Sequence, residues 1–260
     1  MSQATAMAVA EYRLRNMWKW KHAILIYGLG GPFLYLASIG VGVGSLVDAN
    51  TTGGIEGVSY LAFLAPALLA SAAIQGGQDE VVFPTMAGFL WEKIFYGMHA
   101  TSLTARQIAN GVLLAAGVRI VFTSAAYWLV LFAFGAVTIS SFFVLIVSAV
   151  FAGYSFSTFV MWIVARVEHD DGFFAVFGRF VVTPMFLFSG TFYPLESLPW
   201  AVQWIGWISP LWHATEVGRA LSYGAGAAAP LFGWHLLFLA TMAAIGLVLT
   251  HRQFERRLRK

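Results

Sequence analysis

The chain has 260 residues and a mass of 28.4 kDa, is 59% hydrophobic and 10% charged, and carries a formal net charge of +3. A soluble domain is about a quarter charged, so too little polar surface exists here to cover a water-soluble core, and the same composition excludes disorder. The absence of cysteine excludes disulfides, thiolate metal sites and cysteine nucleophiles.

A membrane-spanning helix needs about 20 apolar residues. The composition supplies enough for six, with no room left for a soluble catalytic domain. The excess of base then reads as positive flanks held on the cytoplasmic side rather than as a nucleic-acid surface. The first ten residues lack a basic stretch followed by an apolar run and a cleavage site, so no cleaved signal peptide is expected.

In chain order, 11–21 (EYRLRNMWKWK) mixes Arg13, Arg15, Lys19 and Lys21 with Trp18 and Trp20. That pattern predicts an amphipathic helix lying in the headgroup region, within a cytoplasmic N-terminus over 1–22. Span one is expected at 23–47, kinked or broken at Pro32, with Gly40 and Gly44 at the spacing of close helix contact. A polar turn at 48–57 leads to span two at 58–77. The longest non-spanning piece, 78–106, holds a helix at about 89–103. Spans three and four are expected at 108–134 and 139–165, a charged loop at 166–171 and span five at 173–190. Segment 191–221, with Pro194, Pro199 and Pro210 and four tryptophans, is too short between its prolines to cross and suits an interfacial or re-entrant helix. Span six covers 230–250, and 251–260 is a basic cytoplasmic tail. Twelve of the fifteen Lys and Arg flank spans on one side, which places both termini in the cytoplasm.

Few positions suggest chemistry. Arg119 lies roughly 16 Å into span three at 1.5 Å per residue; a charge at that depth faces protein or water. It either lines a translocation path or fixes a helix interface, or else pairs with a buried acid or carbonyls for assembly only. Arg179 is shallower and snorkels. Glu168, His169, Asp170 and Asp171 form a solvated turn. The histidines are scattered without an HExxH pattern, and no metal site is expected. The fragment 75–78, containing Gly-Gly-Gln, ends an apolar span with no Walker A motif anywhere. Asn50-Thr51-Thr52 is a glycosylation sequon of meaning only in a eukaryotic secretory host. No catalytic constellation can be placed.

The stretches GVSYLAFLAP (57–66), Trp91-Glu92-Lys93 through ATSL (100–103) and above all TPMFLFSGTFYP (183–194), continuing to Leu198-Pro199 and ISPLWH (208–213), resemble the membrane subunit of ABC type 2 exporters. The likeness is greatest to the branch holding the nodulation-factor export permeases and the daunorubicin-resistance permeases, and covers nearly the whole chain. It implies an all-α polytopic protein with six transmembrane helices, an interfacial N-terminal helix (Arg13, Arg15, Trp18, Lys19, Trp20), a cytoplasmic coupling helix and a re-entrant segment between spans five and six.

The family arrangement pairs two permeases, identical or homologous, above two separate ATPase subunits, which hold the ATP and magnesium; this chain carries no cofactor and is not itself an enzyme. Trp91, Glu92, Lys93, Ile94, Phe95 and Tyr96 would couple to the ATPase, with Trp91, Glu92, Lys93, Phe95 and Tyr96 exposed. Spans one, two and five face the path, and Phe188, Ser189, Gly190, Phe192 and Tyr193 would sit near its outer end. The 23 phenylalanines suit an amphiphilic or hydrophobic cargo: a drug, a glycolipid or a lipid-linked saccharide. A multi-pass protein of the bacterial plasma membrane is the expectation; an ion-coupled transporter and an intramembrane enzyme or assembly factor are the alternatives.

Overall fold

The computed structural model describes residues 2–259 apart from Thr52, Asp170, Asp171 and Ala225; side chains at 2–5, 27–29, 31, 32, 41 and 227 fall outside it as well. Thr52 of the sequon, Asp170 and Asp171 of the charged loop and Lys260 of the tail thus lie outside the described residues. Among those described, the chain is all-helical and has no strand.

Helix α1 (Ser2–Lys19) is joined through Trp20 to α2 (Lys21–Tyr35), which leads into a π-helical stretch, Leu36–Val43, and then α3 (Gly44–Asn50). The break expected at Pro32 is absent: α2 continues through it, and the irregular winding comes later. There, Gly40, Gly42 and Gly44 offer few β-carbons to hold a regular 3.6-residue turn. Asp48 on α3 then accepts a 2.8 Å bond from the Tyr60 amide, capping α4 (Tyr60–Met86) from across the turn.

Helix α4 does not stop at 77. It runs on and finishes with a π turn, Ala87–Trp91. Helix α5 (Ile94–His99) is only one and a half turns long, and Thr104 with Gln107 forms a capping box that starts α6 (Ala105–Ala133). The helix expected over 89–103 is therefore two pieces. Its first residues belong to α4, and Lys93, with φ of +55°, turns the chain between them.

A 3₁₀ turn leads to α7 (Phe142–Val164). An interrupted helix follows, made of α8 (Phe173–Phe177), a π turn (Gly178–Val182) and α9 (Thr183–Phe188). Two short helices, α10 (Trp200–Trp207) and α11 (Pro210–Ser222), precede the long α12 (Phe232–Leu258). The segment read as a tail is thus the last turns of α12, with Phe254 and Leu258 buried.

Among the described residues, five helical segments are long and apolar enough to span a membrane: Phe33–Asn50, Tyr60–Trp91, Ala105–Ala133, Ile139–Val164 and Phe232–Leu258. Phe173–Phe188 is apolar but shorter, about 24 Å at 1.5 Å per residue.

Helix α4 is the centre of the bundle, with α6, α7 and α11 against it. Lipid-like surroundings offer no hydrophobic drive between helices, so close backbone approach through small residues holds them. A β-carbon on Gly153 of α7 would lie 2.7 Å from the Ala73 carbonyl oxygen, and one on Gly77 of α4 would strike Ser157 and Ile120. The hydroxyls along this seam are satisfied within α7: Ser157 donates to the Gly153 carbonyl at 2.6 Å and Ser155 to Ala152 at 3.0 Å. The Gly-Gly pair of 76–77 is thereby a packing feature.

Enlarging Gly153 to Val should cost about 1–3 kcal/mol by overpacking. Gly117→Ala, where nothing lies within 4 Å of the new carbon, should be neutral or stabilising by up to about 1 kcal/mol. Thermal unfolding of the two variants in one detergent checks the contrast.

Candidate functional site

One end of the bundle carries α1, the α4–α6 turn and the end of α12. There α5 stands on an aromatic base. Phe95 is buried, 3% exposed, with its ring 5.0 Å from Phe89 and 5.6 Å from Phe254, and Phe89 lies 4.8 Å from Phe254. The Arg257 guanidinium sits 4.4 Å over the Phe89 ring and donates to the Ala165 carbonyl at 2.9 Å. Phe95 therefore anchors α5 and is not part of its free surface, contrary to the sequence expectation. A β-carbon at position 88 would run into its ring, so the glycine there makes room for it. Trp91, Glu92, Lys93 and Tyr96 are exposed, and Ile94 is half-buried. These side chains surround the left-handed Lys93 turn, an uncommon backbone for a residue with a side chain.

Just inside this end, four charges meet. Arg13 of α1 donates through Nε and Nη2 to Glu80 Oε1, at 3.2 and 2.8 Å. Arg119 of α6 donates through Nη2 to Asp79 Oδ2 at 3.2 Å, and its Nη1 lies 3.8 Å from Glu80 Oε2. Gln75 donates to the other Asp79 oxygen at 2.9 Å. Arg119 thus has acidic partners and also borders open space. Arg13 is turned into the bundle, whereas Arg15, Trp18, Lys19 and Trp20 are exposed along the same stretch. Lys21 sits 4.5 Å over the Trp18 ring. Asp79 and Glu80 do not stand out in the sequence, because they follow the apolar run and read as the start of a loop.

Two cavities adjoin this quartet. The larger, about 550 Å³, lies among α2, α4, α6 and α9; the second, about 390 Å³, opens toward Trp20, Trp91 and Glu92. Ile24, Asp79 and Arg119 border both. The ion pair is therefore the partition between the cavity within the bundle and the vestibule beside α5.

The segment 188–193 is placed elsewhere. Ser189 and Gly190 are buried in a joint at the opposite end: Ser189 donates to Ser209 Oγ at 2.7 Å, and Ser209 caps α11. Gly190, with φ of +70°, offers its carbonyl to Arg219 at 2.8 Å. Arg219 is itself buried over the Phe63 ring at 3.7 Å and paired with Glu216 at 3.0 Å. Phe188 and Phe192 are half-buried; Phe192 packs on Phe186 at 5.3 Å, and Phe186, not Phe192, lines the larger cavity. Tyr193 donates to the Leu187 carbonyl. Arg179 is exposed.

Burial, aided by the Glu56 and Glu196 carboxylates, holds the Glu216 carboxyl above its usual range, and Arg219 partly offsets that. Two of the scattered histidines do meet: His213 Nε2 donates to the Trp207 carbonyl at 3.0 Å, leaving Nδ1 to accept from His235 Nδ1 at 2.8 Å. Among the described residues no three His, Asp or Glu side chains are grouped for a metal ion.

The ABC-2 type transporter family model matches residues 4–223. The chain belongs to this family. Nodulation protein J of Rhizobium meliloti is 28% identical over 96% of this chain and 93% of its own length; that of Rhizobium leguminosarum bv. viciae is 29% identical over 81% and 80%. The same-named protein of Bradyrhizobium diazoefficiens is 26% identical over 86% of each. The protein is thus a multi-pass membrane component of a transporter.

The quartet ties α1 to the bundle, and removing one partner leaves the other buried and undercompensated. Arg13→Met should destabilise the protein by about 1–3 kcal/mol, Arg119 still partly balancing Glu80, and should speed tryptic cleavage within α1. Arg15→Met, which breaks the exposed pair with Glu11, should change stability by no more than about 0.5 kcal/mol.

Proposed function

We propose that this permease is the membrane subunit of an ATP-driven exporter, paired with a second permease above two ATPase subunits that carry the ATP and magnesium. The observation that carries the reading is α5. It is a short knob with an exposed tip of Glu92, Lys93 and Tyr96, fixed from behind by Phe95 in the Phe89–Phe254 cluster. A tip meant to transmit force must be exposed to its partner and rigid toward its own bundle. Family membership supplies the partner class, an ABC ATPase.

In this reading the α5 end faces the cytoplasm with both termini, and α1 lies along the inner headgroups with Trp18 and Trp20 outward. Phe173–Phe188 makes the fifth of six crossings. The α10–α11 pair dips in from the outer face: Trp200, Trp204 and Trp207 are exposed, and α11 is buried against α4 and α7. Closure of the ATPases would push α5, and through α4 and the quartet would shift the partition at Asp79 and Arg119. Cargo would pass from the vestibule past this partition toward the outer end. The walls suit an amphiphilic or hydrophobic compound. They suit ion coupling poorly, since the carboxylates at 79 and 80 are each matched by an arginine.

Co-expression of the permease with a tagged ABC ATPase from the same cells tests the assignment. Exchanging the charges, Glu92→Lys with Lys93→Glu, should lower the ATPase recovered about tenfold, as expected for the loss of one or two charge-assisted contacts, and leave the melting temperature of the isolated permease unchanged. Undiminished recovery would remove α5 from the interface, and transport by the permease alone, indifferent to ATP, would remove the exporter reading.

A further inference from the structure

The wall of the larger cavity is organised. Helix α4 presents Ser71, Gln75 and Asp79, and antiparallel α6 presents Tyr127, Thr123 and Arg119. Each set is spaced by four residues, so each forms a single line on its helix face. The two lines run side by side for about 12 Å at 1.5 Å per residue, with Thr123 lying where a β-carbon on Gly76 would be 2.9 Å from its hydroxyl. The rest of the wall is apolar: Ala23 and Ile24 of α2, Phe186 of α9, and Leu68, which precedes the ladder on α4. The Tyr35 hydroxyl, which also lines the cavity, and Arg119 Nε are buried and lack a hydrogen-bond partner. Buried polar groups are normally satisfied, and these two, one on α2 and one on α6, border the same cavity, where a ligand would complete them.

The charge count narrows that ligand. Asp79 and Arg119 are paired, and behind them Glu80 is paired with Arg13. The wall therefore offers donors and acceptors but no uncompensated charge. An anionic or cationic head would have to leave water without a counter-charge, which is costly. By contrast, a nearby apolar cavity of about 460 Å³, lined by residues such as Leu25, Phe122, Ala126 and Leu129, has no polar side chain on its wall.

We infer that the two-helix polar ladder is a binding site for the uncharged, hydroxyl-bearing head of an amphiphile, whose tail lies along the Ile24–Phe186 wall. The inference rests on the transport reading for its purpose but not for its test. Gln75, Thr123 and Tyr35 would hydrogen-bond the head, and the Asp79–Arg119 pair would reject charged heads by being neutral overall.

The chain has no cysteine, so a single Ala72→Cys, on the cavity wall, reports occupancy by its rate of modification with a maleimide. The full-length permease in phosphatidylcholine nanodiscs would be tested with decyl glucoside, decyltrimethylammonium and decyl sulfate, each below its micelle concentration. Decyl glucoside should slow modification about five- to tenfold more than either ionic amphiphile, the size expected for one or two hydrogen bonds. Ala126→Cys in the apolar cavity should respond to all three alike. Unbalancing the pair should move the preference: Asp79→Asn toward decyl sulfate, Arg119→Gln toward decyltrimethylammonium. Should either variant fail to fold, Tyr35→Phe with Gln75→Leu should abolish the advantage of the glucoside and leave the ionic amphiphiles unaffected.

Equal protection by all three, the result expected if any lipid tail fills the space, would overturn the inference, as would a preference unchanged by both charge variants. No ATPase is present in this assay, so failure of the exporter reading would show in the co-purification experiment and not here.

Discussion

Four charges in a low-dielectric bundle are tolerable only as a matched set, and that constraint shapes the rest of this molecule. Glu80 and Asp79 come from the middle helix, Arg119 from its antiparallel neighbour and Arg13 from the N-terminal helix. None could be buried alone. Their mutual dependence fixes where α1 crosses the bundle and lets α4 continue past the length of a single span. It also holds the Arg119 guanidinium at the boundary between two cavities. The neutrality that makes the quartet affordable also sets the character of the cavity wall.

Around this joint the structure separates rigid from responsive parts. The α4–α7 seam is built from glycines whose replacement leaves no space, at Gly77 and Gly153. It leaves the central helix no freedom to slide. The outer joint is equally committed: Arg219, Gly190 and the Ser189–Ser209 bond lock the descent into α11. At the other end, α5 rests on rings contributed by the end of α4 and by α12, so the last turns of the chain brace the element proposed to meet the ATPase. A push on α5 is thus transmitted to α4 and α12 together.

Much of this was legible in the residues. Hydropathy placed the apolar segments of α6, α7 and α12 within a few positions of their observed starts, because long uniform apolar runs carry that information directly. The short α5 was not, since Phe89 and Trp91 continue the apolar pattern of the expected 89–103 helix, and only the backbone turn at Lys93 divides it. The C-terminal segment reads as a tail in the sequence because its charges hide its period. Thr250, Phe254 and Leu258 recur every four residues and are all buried, a pattern visible in hindsight. The same spacing in Ser71, Gln75 and Asp79 of α4 lines the cavity, but the apolar residues between them mask it in the sequence. Ring partnerships such as Phe95 with Phe254, far apart in sequence, had no local signal.

The central claim is that the quartet is energetically coupled and is not four charges that happen to be near one another. A double-mutant cycle on Arg13→Met and Glu80→Leu, read by thermal unfolding of the full-length permease in detergent, tests it most directly. The account predicts a coupling of about 1–3 kcal/mol, the double variant being markedly less damaged than the sum of the two single ones. Additivity within about 0.5 kcal/mol would contradict it.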